Sequence, residues 1–279
     1  MILLHYFLFF LSTVFSLRMA TVSQVFDDIC SFAFYHPEEY RKVRILNDVY
    51  SEFIQSAEEQ DGDIVFIING RKIYYCGGKM LSEANLERAE DFSSIFFDYK
   101  KGEINSLPSF RELPRRSSDF LDSMFGRSER EIRKHCRLIS FLGHKAFLND
   151  ICVDAIKKVE KQILESARRD RDVEKYLKDI KIVYSFLKKE VVGSDNMSYH
   201  SYGLAVDIVP ESYNGKHVYW KWSRVYNDRW YEIPLGRRWS PPQPVIDAFE
   251  KNGFIWGGKW YHFDTIHFEY RPEILFVNE

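Results

Sequence analysis

The run Ser198–Asp207, SYHSYGLAVD, sets the tightest condition on any fold of this chain. It suits a buried strand, yet it carries a histidine and an aspartate seven positions apart, with Gly203 and Ala205 between them. His200 and Asp207 can each bind a hard or borderline cation, and a metal site needs at least three such side chains converging. The third candidate is His267 in DTIHFEY, near the far end of the chain. A turn must let His200 and Asp207 reach one point; a glycine there opens backbone conformations closed to other residues, and small side chains leave room.

Two histidines and one carboxylate leave a coordination position open for water, as catalytic zinc sites do. Zinc lowers the pKa of that water toward neutrality, so that hydroxide becomes available to attack an amide carbonyl. A carboxylate must then take the proton and hand it to the leaving amine. Asp264 is suitably placed if FDT is a bend, since in a straight strand it would point away from His267. His262 competes as a ligand; its tyrosine and phenylalanine neighbours make it a cleft residue or an exposed one instead.

The combined pattern, SYHSYGLAVD followed by WGGKW and DTIHFEY, resembles the zinc D-alanyl-D-alanine carboxypeptidase and L-alanyl-D-glutamate endopeptidase family of peptidoglycan peptidases. The matching positions are Ser198, His200, Gly203, Ala205, Asp207, Asp264 and His267, and the similarity runs from about Phe125 to Pro272. The resemblance implies zinc on His200, Asp207 and His267, with Asp264 as general base and acid and Ser198 holding substrate. It also implies a peptidoglycan peptide as partner. Where the family carries a substrate-binding arginine, in a SGYR-like run, this chain reads YSFLKKE, and Lys188 falls at the arginine's place as a single point charge. Glu269, two residues past His267, is a partner for an imidazole or an exposed strand-end carboxylate. The rival reading is a zinc-binding module without catalysis, for which the same fold has precedent in hedgehog signalling domains.

A chain of 279 residues with 45% apolar content can build a sizeable core. Its formal net charge of −2 provides no overall positive field, which excludes nucleic acid as an expected partner. An apolar run from Ile2 to about Phe15 is short for a membrane span and fits a signal peptide or an N-terminal anchor over residues 1–20. Export to the periplasm or medium follows, with membrane contact only if that segment is retained. Cys30, Cys76, Cys136 and Cys152 form no CxxC pair, so a zinc ribbon or redox motif is not expected.

The elements read as α+β: a small antiparallel sheet flanked by helices, preceded by a helix-plus-hairpin region. Asn69-Gly70 between two strand-like runs predicts a hairpin. LSEANLERAEDF reads as a helix. The polar stretch 98–119 predicts a boundary between an accessory region, 21–117, and a peptidase domain, 118–279. Ser128 with Glu131 forms a capping box that predicts an amphipathic helix over 128–143, and a second helix fits 149–169. IKIVYSF, YHSYGLAVDIV and GKWYHFDTIHFEY are the expected strands. The aromatic insertion Tyr213–Trp239, mixed with Arg224, Arg229, Arg237 and Arg238, reads either as plain core or as a partly open wall that stacks on cell-wall peptide or sugar.

Overall fold

A computed structural model describes residues 36–60, 63–189 and 197–279; the apolar N-terminal run and Cys30 lie outside them. The described residues form two compact units, divided between Ala89 and Glu90.

In the first unit helix α1 (Pro37–Val49) starts with proline at its first turn and Glu38 and Glu39 beside it, all favourable at a helix N-terminus. Four strands follow as an antiparallel meander: β1 (Ile54–Gln60), β2 (Asp63–Ile68), β3 (Arg71–Cys76) and β4 (Lys79–Leu81). The β2–β3 turn is the expected Asn69-Gly70, both residues at positive φ (48° and 73°). Val43 and Leu46 of the helix and Ile64, Val65 and Phe66 of the sheet are buried. Tyr75 on β3 donates a hydrogen bond to Glu39 on the helix. The expected helix over LSEANLERAEDF is instead a 3-10 run, Glu83–Asp91, kinked at Arg88. None of its residues is buried, so no apolar stripe holds a regular α-helix against a core.

The second unit begins earlier than the polar stretch predicts. Residues 92–117 form no helix or strand, yet they belong to this unit because their polar groups are satisfied by its C-terminal part. Tyr99 donates through its hydroxyl to Glu250 (2.6 Å) and accepts from the Trp256 amide (2.8 Å). Arg271 donates to the Ile95 carbonyl (2.6 Å).

Helix α2 (Asp119–Phe125) leads to the capping box. The Ser128 hydroxyl accepts from the Glu131 amide and the Glu131 carboxylate accepts from the Ser128 amide. The helix it starts, α3 (Glu129–Ile132), lasts one turn, and the expected continuation is a hairpin of β5 (Cys136–Phe141) and β6 (His144–Asn149). Leu142 and Gly143 both take positive φ (50° and 81°), the geometry of a two-residue hairpin turn, and β5 pairs along its whole length. Helix α4 (Asp150–Ala167), capped by the Asn149 side chain, matches its expectation, and α5 (Arg171–Asp179) follows.

The central sheet contains β7 (Ile180–Tyr184), β8 (Ala205–Pro210), β9 (Phe254–Trp256) and β10 (His267–Tyr270), in the order β7-β8-β10-β9 and antiparallel throughout. Helix α6 (Trp220–Tyr226) lies in the aromatic insertion, α7 (Gln243–Lys251) precedes β9, and α8 (Pro272–Val277) ends the fold. Val206 and Ile208 point to one face of β8 and Asp207 to the other, as strand alternation requires. Phe268 of β10 stacks on Phe249 of α7 with centroids 3.8 Å apart, which fixes the apolar face and commits His267 and Glu269 to the opposite one.

Candidate metal centre

His200 rides on a single 3-10 turn, Tyr199–Tyr202. Ser198 caps that turn by accepting from the His200 amide, and Gly203 closes it at φ 69°. A Cβ at 203 would lie 2.9 Å from both the Asn149 amide nitrogen and Cys136 Sγ, so the turn needs glycine for space as well as for backbone angle. Asp207 sits on β8 directly across the ladder from His267 on β10.

The three side chains are buried and meet. His200 Nε2 lies 2.9 Å from Asp207 Oδ1 and 3.2 Å from His267 Nδ1, and His267 Nδ1 lies 2.8 Å from Asp207 Oδ1. Donors bonded at about 2.0–2.1 Å in tetrahedral geometry stand about 3.3 Å apart, close to this spacing. The far side of each ring explains the orientation. His200 Nδ1 faces the carbonyl of Ser185, which can only accept, so Nδ1 carries the proton and Nε2 presents its lone pair to the cluster. His267 Nε2 donates to Glu269 (3.3 Å), which turns Nδ1 inward. Two imidazole nitrogens and a carboxylate oxygen thus converge on one point, a set that calls for a cation.

Without a metal ion the cluster keeps a proton. Burial opposes charge on His267, but its hydrogen bonds to Asp207 and Glu269 prevail and lift the imidazole to about 10. Metal binding would displace that proton. Burial likewise opposes charge on Asp207, yet the two imidazoles hold its carboxyl well below the ordinary value.

Behind His267 lies a buried charge network. Glu269 accepts from Arg271 (3.2 Å) and lies 3.9 Å from Arg116; Arg271 also donates to Glu273 (2.5 Å) and stands over the Tyr199 ring at 4.8 Å. Burial would raise the Glu269 carboxyl, but His267 and the two arginines bring it down to about 2, so it stays an acceptor. Glu269 is thus the imidazole's partner and not an exposed strand-end carboxylate, and it is the fold that brings Arg271 and Arg116 to it. The readable signal was HFEYR, which puts His267, Glu269 and Arg271 at alternate positions on one strand face.

Asp264 enters the cleft by the expected bend: its carbonyl accepts from the His267 amide (3.3 Å), and its own amide donates to Gly257. A Cβ at 257 would fall 2.6 Å from that carbonyl, so glycine there permits the approach. Asp264 Oδ1 is enclosed with no partner among the described residues. Burial first, then the Asp207 charge, push its carboxyl up to about 7, the range of a general base. Ser198, Asp264, His267 and Glu269 line a cleft of about 670 Å3 that also runs under residues 93–121.

Lys188, by contrast, is exposed and does not line the cleft. Its neighbour Lys189 does, with Nζ 3.7 Å from Asp207 Oδ2. The Lys189 amide donates to Ser201 Oγ beside the His200 turn, which ties that residue to the cluster, while Lys188 faces solvent. His262 is a cleft residue, packed on Trp220 and Trp230 (4.7 and 5.1 Å between centroids) and outside the metal cluster.

The aromatic insertion does two things. Trp220, Trp230, Ile233 and Phe263 form a packed cluster, with Arg238 buried over Phe263 at 4.1 Å and donating to the carbonyls of Ile233 and Tyr231. Its other arginines, Arg224, Arg229 and Arg237, are exposed.

Residues 192–270 match the family model described as D-alanyl-D-alanine carboxypeptidase, in accord with the resemblance of the sequence. No curated protein and no solved structure matches the chain.

Proposed function

We propose, from the premise that residues 192–270 belong to the D-alanyl-D-alanine carboxypeptidase family, that the protein is a zinc metallopeptidase that cuts an amide bond in peptidoglycan stem peptides. Its reaction is of the D-alanyl-D-alanine carboxypeptidase type, and it acts in the cell envelope, in the periplasm or after secretion. The observation that supports this reading most is the convergence of His200, Asp207 and His267 beside a carboxylate, Asp264, whose Oδ1 is buried with no partner among the described residues.

His200, Asp207 and His267 would hold the zinc ion. When bound, zinc supplies a water of lowered pKa and polarises the substrate carbonyl. Asp264 takes the proton from the attacking water at its carboxylate and delivers it to the leaving amine. Lys189 offers an ammonium to the substrate's carbonyl or terminal carboxylate, as one mobile charge where the family uses a planar fork. The Ser198 hydroxyl, already an acceptor for the His200 amide, keeps its proton for substrate. A purely structural zinc site has no use for Asp264, which argues against a non-catalytic module.

Purified protein incubated with muropeptides should release D-alanine, and a chelator should abolish the release until zinc is restored. Unchanged muropeptides with zinc-loaded protein would refute the assignment.

A further inference from the structure

The fold uses the two tryptophans of WGGKW differently. Trp256 is buried, and its indole Nε1 donates to the Thr265 carbonyl at 2.8 Å. Trp260 lines the catalytic cleft, and its Nε1 is enclosed with no hydrogen-bond partner among the described residues. An indole N–H can only donate, and once buried it ordinarily finds an acceptor. The Trp260 ring also stands against the metal cluster, its centroid 5.4 Å from that of His267. Its position is fixed from several sides. The Trp260 amide donates to the Gly257 carbonyl (3.2 Å), and the ring packs against Tyr99, Ile255, Ile274 and Leu275. Lys259, just before it, is paired with Glu250 and donates to the Lys100 carbonyl (2.8 Å). A Cβ at 257 would stand 3.2 Å from Cζ3 and 3.3 Å from Cε3 of the ring, so the glycine that admits Asp264 also admits the benzo side of Trp260. Nε1 belongs to the other side of the indole.

We infer that the Trp260 indole N–H binds substrate, donating a hydrogen bond to an amide carbonyl of the peptide other than the one under attack. The inference rests on the peptidase reading. The attacked carbonyl is the one that zinc polarises when bound. A terminal carboxylate is matched by a cation, and Lys189 brings one to the cluster beside Asp207. A neutral N–H suits the acceptors that remain, the unattacked carbonyls of the backbone. A donor held ready in an enclosed place also rejects any pose that offers it no oxygen, because the N–H then stays buried and unpaired. Trp260 thereby fixes the register of the peptide along the cleft.

The test removes the N–H and keeps an aromatic ring. Two full-length proteins are loaded with zinc and given a stem peptide ending in D-alanyl-D-alanine: Trp260→Phe, and a protein with benzothienylalanine at 260, where sulfur replaces the N–H in a ring of the same shape. Both should raise KM about tenfold, the worth of a hydrogen bond whose acceptor is left unpaired. Their kcat should stay within about twofold of the parent, as expected for an interaction made equally before and during the reaction, and zinc affinity in chelator competition should not change. Separately, zinc-loaded Asp264→Asn protein holds the peptide uncut. There the Trp260 indole 1H–15N resonance, assigned by its loss when Trp260→Phe is added, should move downfield and exchange more slowly when peptide is present. A resonance that ignores the peptide, an unchanged KM in the sulfur protein, a loss confined to kcat, or loss of zinc from both proteins would each overturn the inference. Parent protein that neither binds nor cleaves the peptide refutes the peptidase reading and this inference together. Parent protein that cleaves it while the indole resonance stays still refutes this inference alone.

Discussion

Two buried regions border the cleft and are held in opposite ways. On the floor, His267, Glu269, Arg271 and Glu273 satisfy one another, and each charge is enclosed with a named opposite. The wall, from Trp220 to Phe263, is a cluster of rings around one guanidinium, Arg238, which bonds only to backbone carbonyls. The floor is specified by partner identity and the wall by volume. Burial of charge is tolerable only when the partners are present, whereas rings tolerate exchange of shape if the space stays filled.

Substitutions should separate these two modes. The largest effect is expected beside the floor, at Asp264: Asp264→Asn should keep its zinc by metal analysis yet lower kcat by about 10^2–10^4-fold, the worth of a general acid-base group. Full turnover in that variant would remove Asp264 from the mechanism. Arg271→Met, which keeps bulk and deletes charge, should cost about 3–5 kcal/mol in denaturant unfolding because Glu269 and Glu273 lose their buried counter-ion. A cost like that of a wall substitution would erase the contrast.

The floor should also respond to pH when the metal is stripped. Asp264 holds its proton up to about 7 in the folded protein, while the unfolded chain releases it near the ordinary 3.8. The folded state therefore binds more protons in that window, and stability falls as pH rises, by up to about 1.4 kcal/mol per pH unit between about 4.5 and 6.5. Comparison of Asp264→Asn with the parent by thermal unfolding should show that this decline disappears. Glu269→Gln should weaken zinc binding about 10–100-fold in chelator competition, since the amide no longer fixes which nitrogen of His267 faces the ion. On the wall, Trp230→Phe should cost only about 1–2 kcal/mol and leave zinc affinity unchanged. A larger loss, or a loss of zinc, would show that the wall is also specified by partners.

The readable parts of the molecule are those whose signal is local. Asn69-Gly70 gives its turn because few other pairs adopt two successive positive φ angles, and Asn149 ahead of an apolar stripe gives α4. His200, Asp207 and His267 were legible as a set because their chemistry demands a common point. The capping box at Ser128 forms as its residues predict, but the helix ends after one turn, since pairing of β5 with β6 outweighs helical periodicity over Cys136–Phe141. The segment 92–117 carries a linker's composition. Its place in the second unit depends on Tyr99, Ile95 and Arg116 meeting residues more than 140 positions away, which no local pattern reveals. Lys188 falls at the arginine's place in the motif, yet Lys189 is the lysine that lines the cleft, a difference of one position that depends on how the fold places this segment.

The pairing of Asp207 with His267 across the β8–β10 ladder carries a consequence for assembly of the chain. Side chains alternate along a strand, so a slip of one residue would send one of these two donors to the opposite side of the sheet. Only a correctly threaded molecule can offer both to an ion, and an ion that binds it withdraws that molecule from the pool of misaligned ones by mass action. Supply of the metal would thereby act as quality control on strand alignment as well as a requirement for turnover.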